Sequence, residues 1–175
     1  ELDSELKKLV SSNKSKLNYI PYSIPKHKII DGISFIDINN RLYRLKIFGD
    51  HNLQNISGAL NICKALGVES EDFYNAITSF NGASNRLELV YKSSDTIIFK
   101  DFAHSPSKVK ATTKAVHKQF PNRKLISFFE LHTYSSLNPL FLEKYRNSLK
   151  QSDECYIYYS EKNMRIKRLE PIDSE

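Results

Sequence analysis

The residues best suited to chemistry lie in one short stretch, Lys100-Asp101-Phe102-Ala103-His104-Ser105-Pro106. An apolar run, Thr96-Ile97-Ile98-Phe99, precedes it, and a helical pattern from Ser107 to Gln119 follows. Asp101 and His104 are therefore expected on a turn between a strand end and a helix start. In an open α/β sheet that edge is where ligands bind. Free backbone N–H groups and the helix dipole favour an anion there. An Asp carboxylate can accept hydrogen bonds from sugar hydroxyls, and a His can donate to phosphate or move a proton. The plain alternatives are a helix N-terminal acid for Asp101 and a capping or packing side chain for His104.

Other residue pairs could serve the same edge. Asn52 and Asn55 stand three apart, so on a helix they share a face. Their amides could read a base edge, offering donor and acceptor together. N-capping by Asp50 or Asn52 is the competing use. Arg86 opens the segment after a turn-rich break, and a surface pair with Glu88 is its plain reading. His51 could equally be a packing residue and is given a lesser role. His132, Thr133, Tyr134 and Ser135 follow a strand and would face a substrate.

The elements that position these residues are legible as patterns. Residues 2–12 read as the end of a helix, and Lys14 to Leu17 as a polar connection. Strand-like runs follow at 17–24, 32–37 and 41–48. Asn39-Asn40 tolerates positive φ, which predicts a hairpin between the last two. Pro21 and Pro25 place the first run at an edge or in extended coil. Leu53, Ile56, Leu60 and Cys63 form a helical stripe ending at Gly67. Ser70 predicts an N-cap for a second helix, with Phe73, Ala76, Ile77 and Phe80 inward. From Leu87 onward, strands (87–91, 96–99, 124–129, 155–159, 165–169) alternate with helices (after Pro106, and 139–150). Such alternation predicts α/β architecture with a mostly parallel sheet.

The chain has 175 residues and a net charge of +6. Its lysines are spread over polar faces and loops, without the interleaved aromatics of a nucleic-acid platform, so no nucleic-acid partner is expected. A non-catalytic basic nucleotide- or nucleic-acid-binding module is the alternative reading. A hydrolase would need a nucleophile elbow, and no Gly-x-Ser-x-Gly is present. No window has the apolar length of a membrane span, so no membrane partner is expected either. Cys63 and Cys155 read as reduced thiols, which fits the cytoplasm, and they lack the spacing of a metal site. The first residue is Glu1 rather than Met, which suggests part of a longer protein.

Three stretches together resemble the Mur ligase family, the ATP-dependent enzymes that add amino acids or peptides to the muramic acid precursor of peptidoglycan. Gly49-Asp50-His51-Asn52-Leu53-Gln54-Asn55 looks like the family's Gly-x-His-Asn-x-x-Asn helix start. Phe80-Asn81-Gly82 through Arg86-Leu87-Glu88 looks like its Phe-x-Gly…Arg-x-Glu junction. Asp101 to Pro106 looks like its Asp-(Tyr/Phe)-(Ala/Gly)-His-x-Pro turn. Order and spacing agree for all three. The wording of Glu130 to Asn138 is closest to the branch that uses free muramate, and within it more like the murein tripeptide ligase than the alanine-adding ligase. Ser135-Ser136 stands where the alanine-adding ligase usually has Ser-Arg.

The resemblance implies the end of a central ATPase domain over residues 1–81 and a truncated Rossmann-like C-terminal domain over 82–175. It implies adenine contact by Asn52 and Asn55, ribose contact by Asp101 and phosphate contact by Arg86. His104 would lie near the phosphates or the reacting centre, making Arg86 and His104 the catalytic candidates. His132, Tyr134 and Ser135 would face the muramate-side substrate or the incoming amine. ATP and Mg2+ are the implied cofactors, with metal ligands outside this stretch. UDP-N-acetylmuramate and an amino acid or peptide are the implied partners. No Gly-x-x-x-x-Gly-Lys-[Ser/Thr] loop is present, so this stretch alone is expected to be inactive.

Overall fold

The computed structural model describes residues 4–13 and 19–167. The connection at Lys14–Leu17 lies outside the described residues, as do the start of the first helix and the last residues of the strand expected over 165–169. Helix α1 (Ser4–Ser12) matches the helix read over residues 2–12.

Strands β1 (His27–Ile30), β2 (Ile33–Ile38) and β3 (Arg41–Arg44) form an antiparallel meander. Asn39 and Asn40 take φ of 50° and 66°, as the β2–β3 hairpin requires. The strand expected over 17–24 does not form in the described part; residues 19–26 belong to no strand, and the first backbone bond to β2 is the Asp37 N–H donating to the Lys26 carbonyl at 2.8 Å. Pro21 and Pro25 cannot donate to a ladder. Instead this segment crosses helix α2 (Asp50–Ala65), where the Tyr22 ring sits against Gly58. The pairing role passes to β1, a strand that the sequence patterns did not indicate.

The meander buries one face. Ile36, opposite Tyr43 in the β2–β3 register, has no exposed surface. With Tyr43 and Leu45 it packs on Leu53 and Ile56 of α2 and on Phe73 and Tyr74 of helix α3 (Ser70–Ile77). Leu60 and Cys63 pack at its margin, as the stripe predicted. Ser70 is the first helical residue of α3 rather than its cap; Glu69 holds the cap position without a side-chain bond. The inward stripe contains Tyr74, and Phe80 is exposed beyond the helix end.

Residues 88–167 supply β4 (Glu88–Lys92), β5 (Ile97–Lys100), α4 (Pro106–Gln119), β6 (Ile126–Leu131), α5 (Pro139–Leu142), β7 (Glu154–Tyr159) and α6 (Glu161–Ile166). Parallel pairing occurs between β6 and β7, from Ile126↔Glu154 to Leu131↔Tyr159. β4 and β5 form an antiparallel hairpin with an irregularity between Leu89 and Tyr91. The helix expected over 139–150 stops early, passing through a 3-10 turn (Glu143–Tyr145) into irregular turns. The Ser148 carbonyl accepts the Thr113 hydroxyl of α4 at 3.1 Å, which holds this segment against α4 rather than in a continued helix. The strand expected from Arg165 is replaced by α6, whose Met164 is buried against Leu131 and Leu137.

A second apolar cluster ties these segments to the meander. Phe48, just after β3, packs with Leu87, Phe99, Ala115 and Phe120. Its ring meets Phe99 edge-on at 5.1 Å and Phe120 at 6.0 Å. Polar contacts flank it: Ser34 donates to Gln119 at 2.9 Å, and the Gln119 amide donates to the Gly32 carbonyl at 2.8 Å. Helix α4 is thereby seated on both β2 and the start of α2.

Candidate functional site

The site forms where α2 begins, where the turn before β4 ends, and where β5 and β6 end. Gly49 makes the α2 start possible. Its φ is 93°, and an added Cβ would lie 2.8 Å from the Ala115 Cβ of α4. Only glycine suits that backbone and that approach. Asn52 does not cap the helix; its amide donates back to the Phe48 carbonyl at 2.9 Å. The side-chain oxygen of Asn52 is left to accept. Asn55, one turn on, is exposed. Among the described residues neither amide bonds to the Asp101–His104 turn.

Asp101 follows β5 and is half-buried. Its Oδ2 accepts the Leu87 N–H at 2.8 Å. Leu87 is buried with φ of 47°, a region that bulky residues rarely occupy. One carboxylate oxygen therefore fixes the turn that carries Arg86, and the other remains for a ligand. Asp101 is not a helix-terminal acid, since the first turn of α4 contains none. Arg86 is exposed and does not pair with Glu88. The Glu88 carboxylate instead accepts from the Asn85 N–H at 2.7 Å and the Ser84 hydroxyl at 3.3 Å. Those bonds hold Glu88 below the usual carboxylate range, chiefly through the Asn85 N–H. The guanidinium of Arg86 is free to meet an anion.

His51, for which a lesser role and packing were left as equal alternatives, lies within electrostatic reach of Asp101 and Arg86. Burial pushes its pKa down; Asp101 and Asp50 push the other way, and Arg86 adds to the lowering. At neutral pH the ring is uncharged, beside the Asp101 carboxylate and the Arg86 guanidinium. Its place in the Gly-x-His-Asn stretch was the available signal.

His104 and His132 come together across the ends of β5 and β6. The Phe102 ring lies 5.2 Å from His104 and 5.9 Å from His132, and the two imidazoles are 6.4 Å apart. His104 Nδ1 sits 3.0 Å from the Phe102 carbonyl, which can only accept, so Nδ1 carries the proton and Nε2 is presented to a ligand. The Tyr145 hydroxyl donates to the His104 carbonyl at 2.5 Å and steadies the turn. Lys167 donates to the His132 carbonyl and lies 5.0 Å from the Tyr134 ring centroid. Tyr145 and Lys167 carry no motif and were not read from the sequence. Tyr134 and Ser135 are exposed on the loop. Ser136 is buried and closes the loop, its Oγ accepting the Thr133 N–H at 2.9 Å.

The structure thus sets His51 within electrostatic reach of Asp101 and Arg86, and His104 beside Phe102 and His132, at the two ends of one turn, with Tyr134 and Ser135 on the loop after His132. Asn52 and Asn55 sit farther along α2. Donors, a free guanidinium and an unpaired carboxylate oxygen suit a phosphorylated sugar compound. Among the described residues no three His, Cys, Asp or Glu side chains gather as metal ligands.

A scan against family models finds no match. The solved structure of a UDP-N-acetylmuramate–alanine ligase from Thermotoga maritima shares the fold, with a TM-score of 0.66 at 18% identity, covering 87% of this chain and 35% of that one. MurF from Acinetobacter baumannii gives 0.57 at 16% identity, with 82% and 36% covered. Folylpolyglutamate synthase from Mycobacterium tuberculosis, solved with ADP and AMPPCP, gives 0.53 at 14%, with 83% and 40% covered. The chain therefore has the α/β fold shared by Mur ligases and folylpolyglutamate synthases.

In sequence it is similar to Mur ligases over part of their length. It is 31% identical over 115 residues to the UDP-N-acetylmuramate–L-alanine ligase of Lactobacillus delbrueckii subsp. bulgaricus, which is 66% of this chain and 26% of that protein. The enzyme of the same name from Caldicellulosiruptor bescii is 36% identical over 114 residues, 65% and 25% respectively. The chain spans about a quarter of the length of the curated relatives it matches. These relatives are alanine-adding ligases, whereas the wording of Glu130 to Asn138 pointed to the tripeptide ligase. That expectation rested on one loop; the similarity to the alanine-adding enzymes extends over 115 residues.

Proposed function

We propose that this chain is the nucleotide-clamping part of an ATP-dependent ligase that joins L-alanine to UDP-N-acetylmuramate in peptidoglycan synthesis. The observation that supports it is the Asp101–His104 turn, which accepts the Leu87 N–H through Asp101 at one end and sets the His104 ring 6.4 Å from that of His132 at the other. The likeness to alanine-adding ligases supplies the substrate class. Residues 1–81 are read as the end of the ATPase domain and 82–175 as the following domain. The reaction belongs in the cytoplasm, where ATP and nucleotide sugars are found; no described helix is long and apolar enough to cross a membrane.

When bound, ATP would supply the phosphoryl group that activates the muramate carboxylate; the amine would then attack the acyl carbon, forming the amide bond as the C–O bond to phosphate breaks and inorganic phosphate leaves. Asp101 accepts from the ribose hydroxyls through the oxygen that Leu87 leaves free. Arg86 stabilises charge that develops on the phosphates. His104 presents Nε2 towards the reacting end. His51, held neutral by burial, adds no charge of its own beside Asp101 and Arg86. The exposed amide of Asn55 and the free oxygen of Asn52 match the donor and acceptor of an adenine edge. His132, Tyr134 and Ser135 face the acceptor side. Mg2+ would be held by residues of the ligase outside those described.

One observation favours a second acceptor. Ser136, where an alanine-adding ligase usually carries Arg, is buried in the loop and offers no cation for an amino-acid carboxylate. The test is phosphate release by the full-length protein given ATP, Mg2+ and UDP-N-acetylmuramate. L-alanine is compared with L-alanyl-γ-D-glutamyl-diaminopimelate. Release with alanine alone supports the proposal, and release with the tripeptide alone transfers it to the recycling ligase. No release with either overturns the ligase reading.

A further inference from the structure

A second cavity lies at the other end of β5 and α4 from the Asp101–His104 turn. It has a volume of about 680 Å³ and opens between the β1–β2 turn, the segment after β3, the β4–β5 turn and the end of α4. That volume falls within the range of small-molecule sites. Its inner wall is apolar, formed by the Phe48, Phe99 and Phe120 cluster with Leu89 at the mouth. Leu89 is 53% exposed there.

The charges around the opening are mostly of one sign. Arg44, Lys46, Lys92 and Arg123 line it against a single acid, Asp31. Lys46 donates to Asn81 at 3.0 Å, and Arg123 to the Asp95 carbonyl. The Lys46 bond neutralises no charge, whereas Arg123 is partly offset by the Asp95 carboxylate, which lies within its electrostatic reach. The side chains of Arg44 and Lys92 are exposed and make no hydrogen bond or ion pair with the described residues. Cations focused over an apolar wall raise the local concentration of anions. The same walls shelter the apolar body that such an anion carries. A wholly polar anion would leave Leu89 and Phe120 uncovered, and a neutral apolar compound would leave the cations unmatched.

We propose that this cavity is a second ligand site, specific for a small amphipathic anion with an aromatic or acyl body and one phosphate, sulfonate or carboxylate group. Its walls come from residues 31–48 on one side and 87–123 on the other. An occupant therefore bridges the segments that precede and follow the Gly82–Arg86 turn. Binding there sets how the Asp101–Leu87 link is presented at the far end of β5.

The probe is 8-anilinonaphthalene-1-sulfonate, an aromatic sulfonate, compared with its uncharged relative N-phenyl-1-naphthylamine on this chain. The charged dye is expected to shift backbone amide resonances of Leu89, Lys92 and Ile97. Arg44→Gln/Lys92→Gln is expected to weaken that dye about tenfold while leaving the neutral dye unchanged. Lys64→Gln/Lys150→Gln, equal in charge but away from the cavity, serves as the control. Shifts confined to the exposed β6–β7 faces would overturn the proposal. So would equal weakening by both pairs, or equal loss of the two dyes. Because Arg44 and Lys92 are exposed without described partners, the variants are expected to keep the wild-type amide spectrum. If Arg44→Gln/Lys92→Gln did not, Leu89→Ser read on the same resonances decides, with undiminished binding counting against the site.

Discussion

The meander with α2 and α3 and the β6–β7 pair are both two-layer units, yet they bury very different fractions of their apolar surface. In the first, Ile36, Leu53 and Ile56 are almost wholly enclosed, and rings from Tyr43, Phe73 and Tyr74 seal the layer. In the second, Phe128 is 80% exposed and stacks on the exposed Tyr156 at 5.0 Å. Ile157 and Tyr158 are also open. Stability is thus concentrated around β2 and α2, whereas β6 mainly delivers His132 to the site. A unit rigid enough to hold Gly49 and His51 lies beside one whose described cover is incomplete.

Truncation tests that contrast most strongly. Ile36→Ala should destabilise the chain by about 3 kcal/mol, because it leaves a cavity in a closed core. Phe128→Ala should cost almost nothing in chemical denaturation and should reduce binding of apolar dyes. Comparable losses for the two would remove the distinction. Next in size is the polar seam that joins the units across α4. Gln119→Ala strips a partner from the buried Ser34 hydroxyl and from the half-buried Gly32 carbonyl, and should cost about 2 kcal/mol.

A pH profile separates the charged groups at the α2 start. His51 has its pKa depressed by burial, against Asp101 and Asp50, with Arg86 assisting. The unfolded chain then takes up that proton first. Folded stability should fall as pH drops below about 6.5 and be flat in this respect above it. His51→Gln should remove that part of the slope, and an unchanged slope would show that His51 titrates alike in both states. The smallest effect is expected from Lys118→Ala. Burial disfavours the Asp50 charge, but Lys118, at 2.7 Å, outweighs it and holds the carboxyl below its ordinary range. Both groups are partly exposed, so the loss should be about 0.5 kcal/mol and should shrink further in high salt.

The pattern of what could be read beforehand follows the same division. Helix stripes and the Asn39-Asn40 hairpin were legible because local spacing and φ preference determine them. Asp101 and His104 were legible because their turn joins two strong patterns. β1, α6 and the early end of α5 were not. Each depends on a contact distant in sequence: the pairing with β2, the burial of Met164, and the Thr113 bond to Ser148. At the site, Lys167 was missed for the same reason and the part of His51 was left open, since their neighbours are brought in by β5 and the β6 loop. The distribution of charge around the second cavity likewise emerges only when β3, β4 and α4 meet.

The most direct measurement on the central claim is titration of ATP into the full-length protein and its Asp101→Asn form. Asn keeps an acceptor for the Leu87 N–H but loses the charge offered to ribose hydroxyls. Nucleotide affinity should fall about tenfold, with thermal stability close to wild type. Equal affinity in the two proteins would contradict the assignment of the Asp101 turn as the nucleotide clamp.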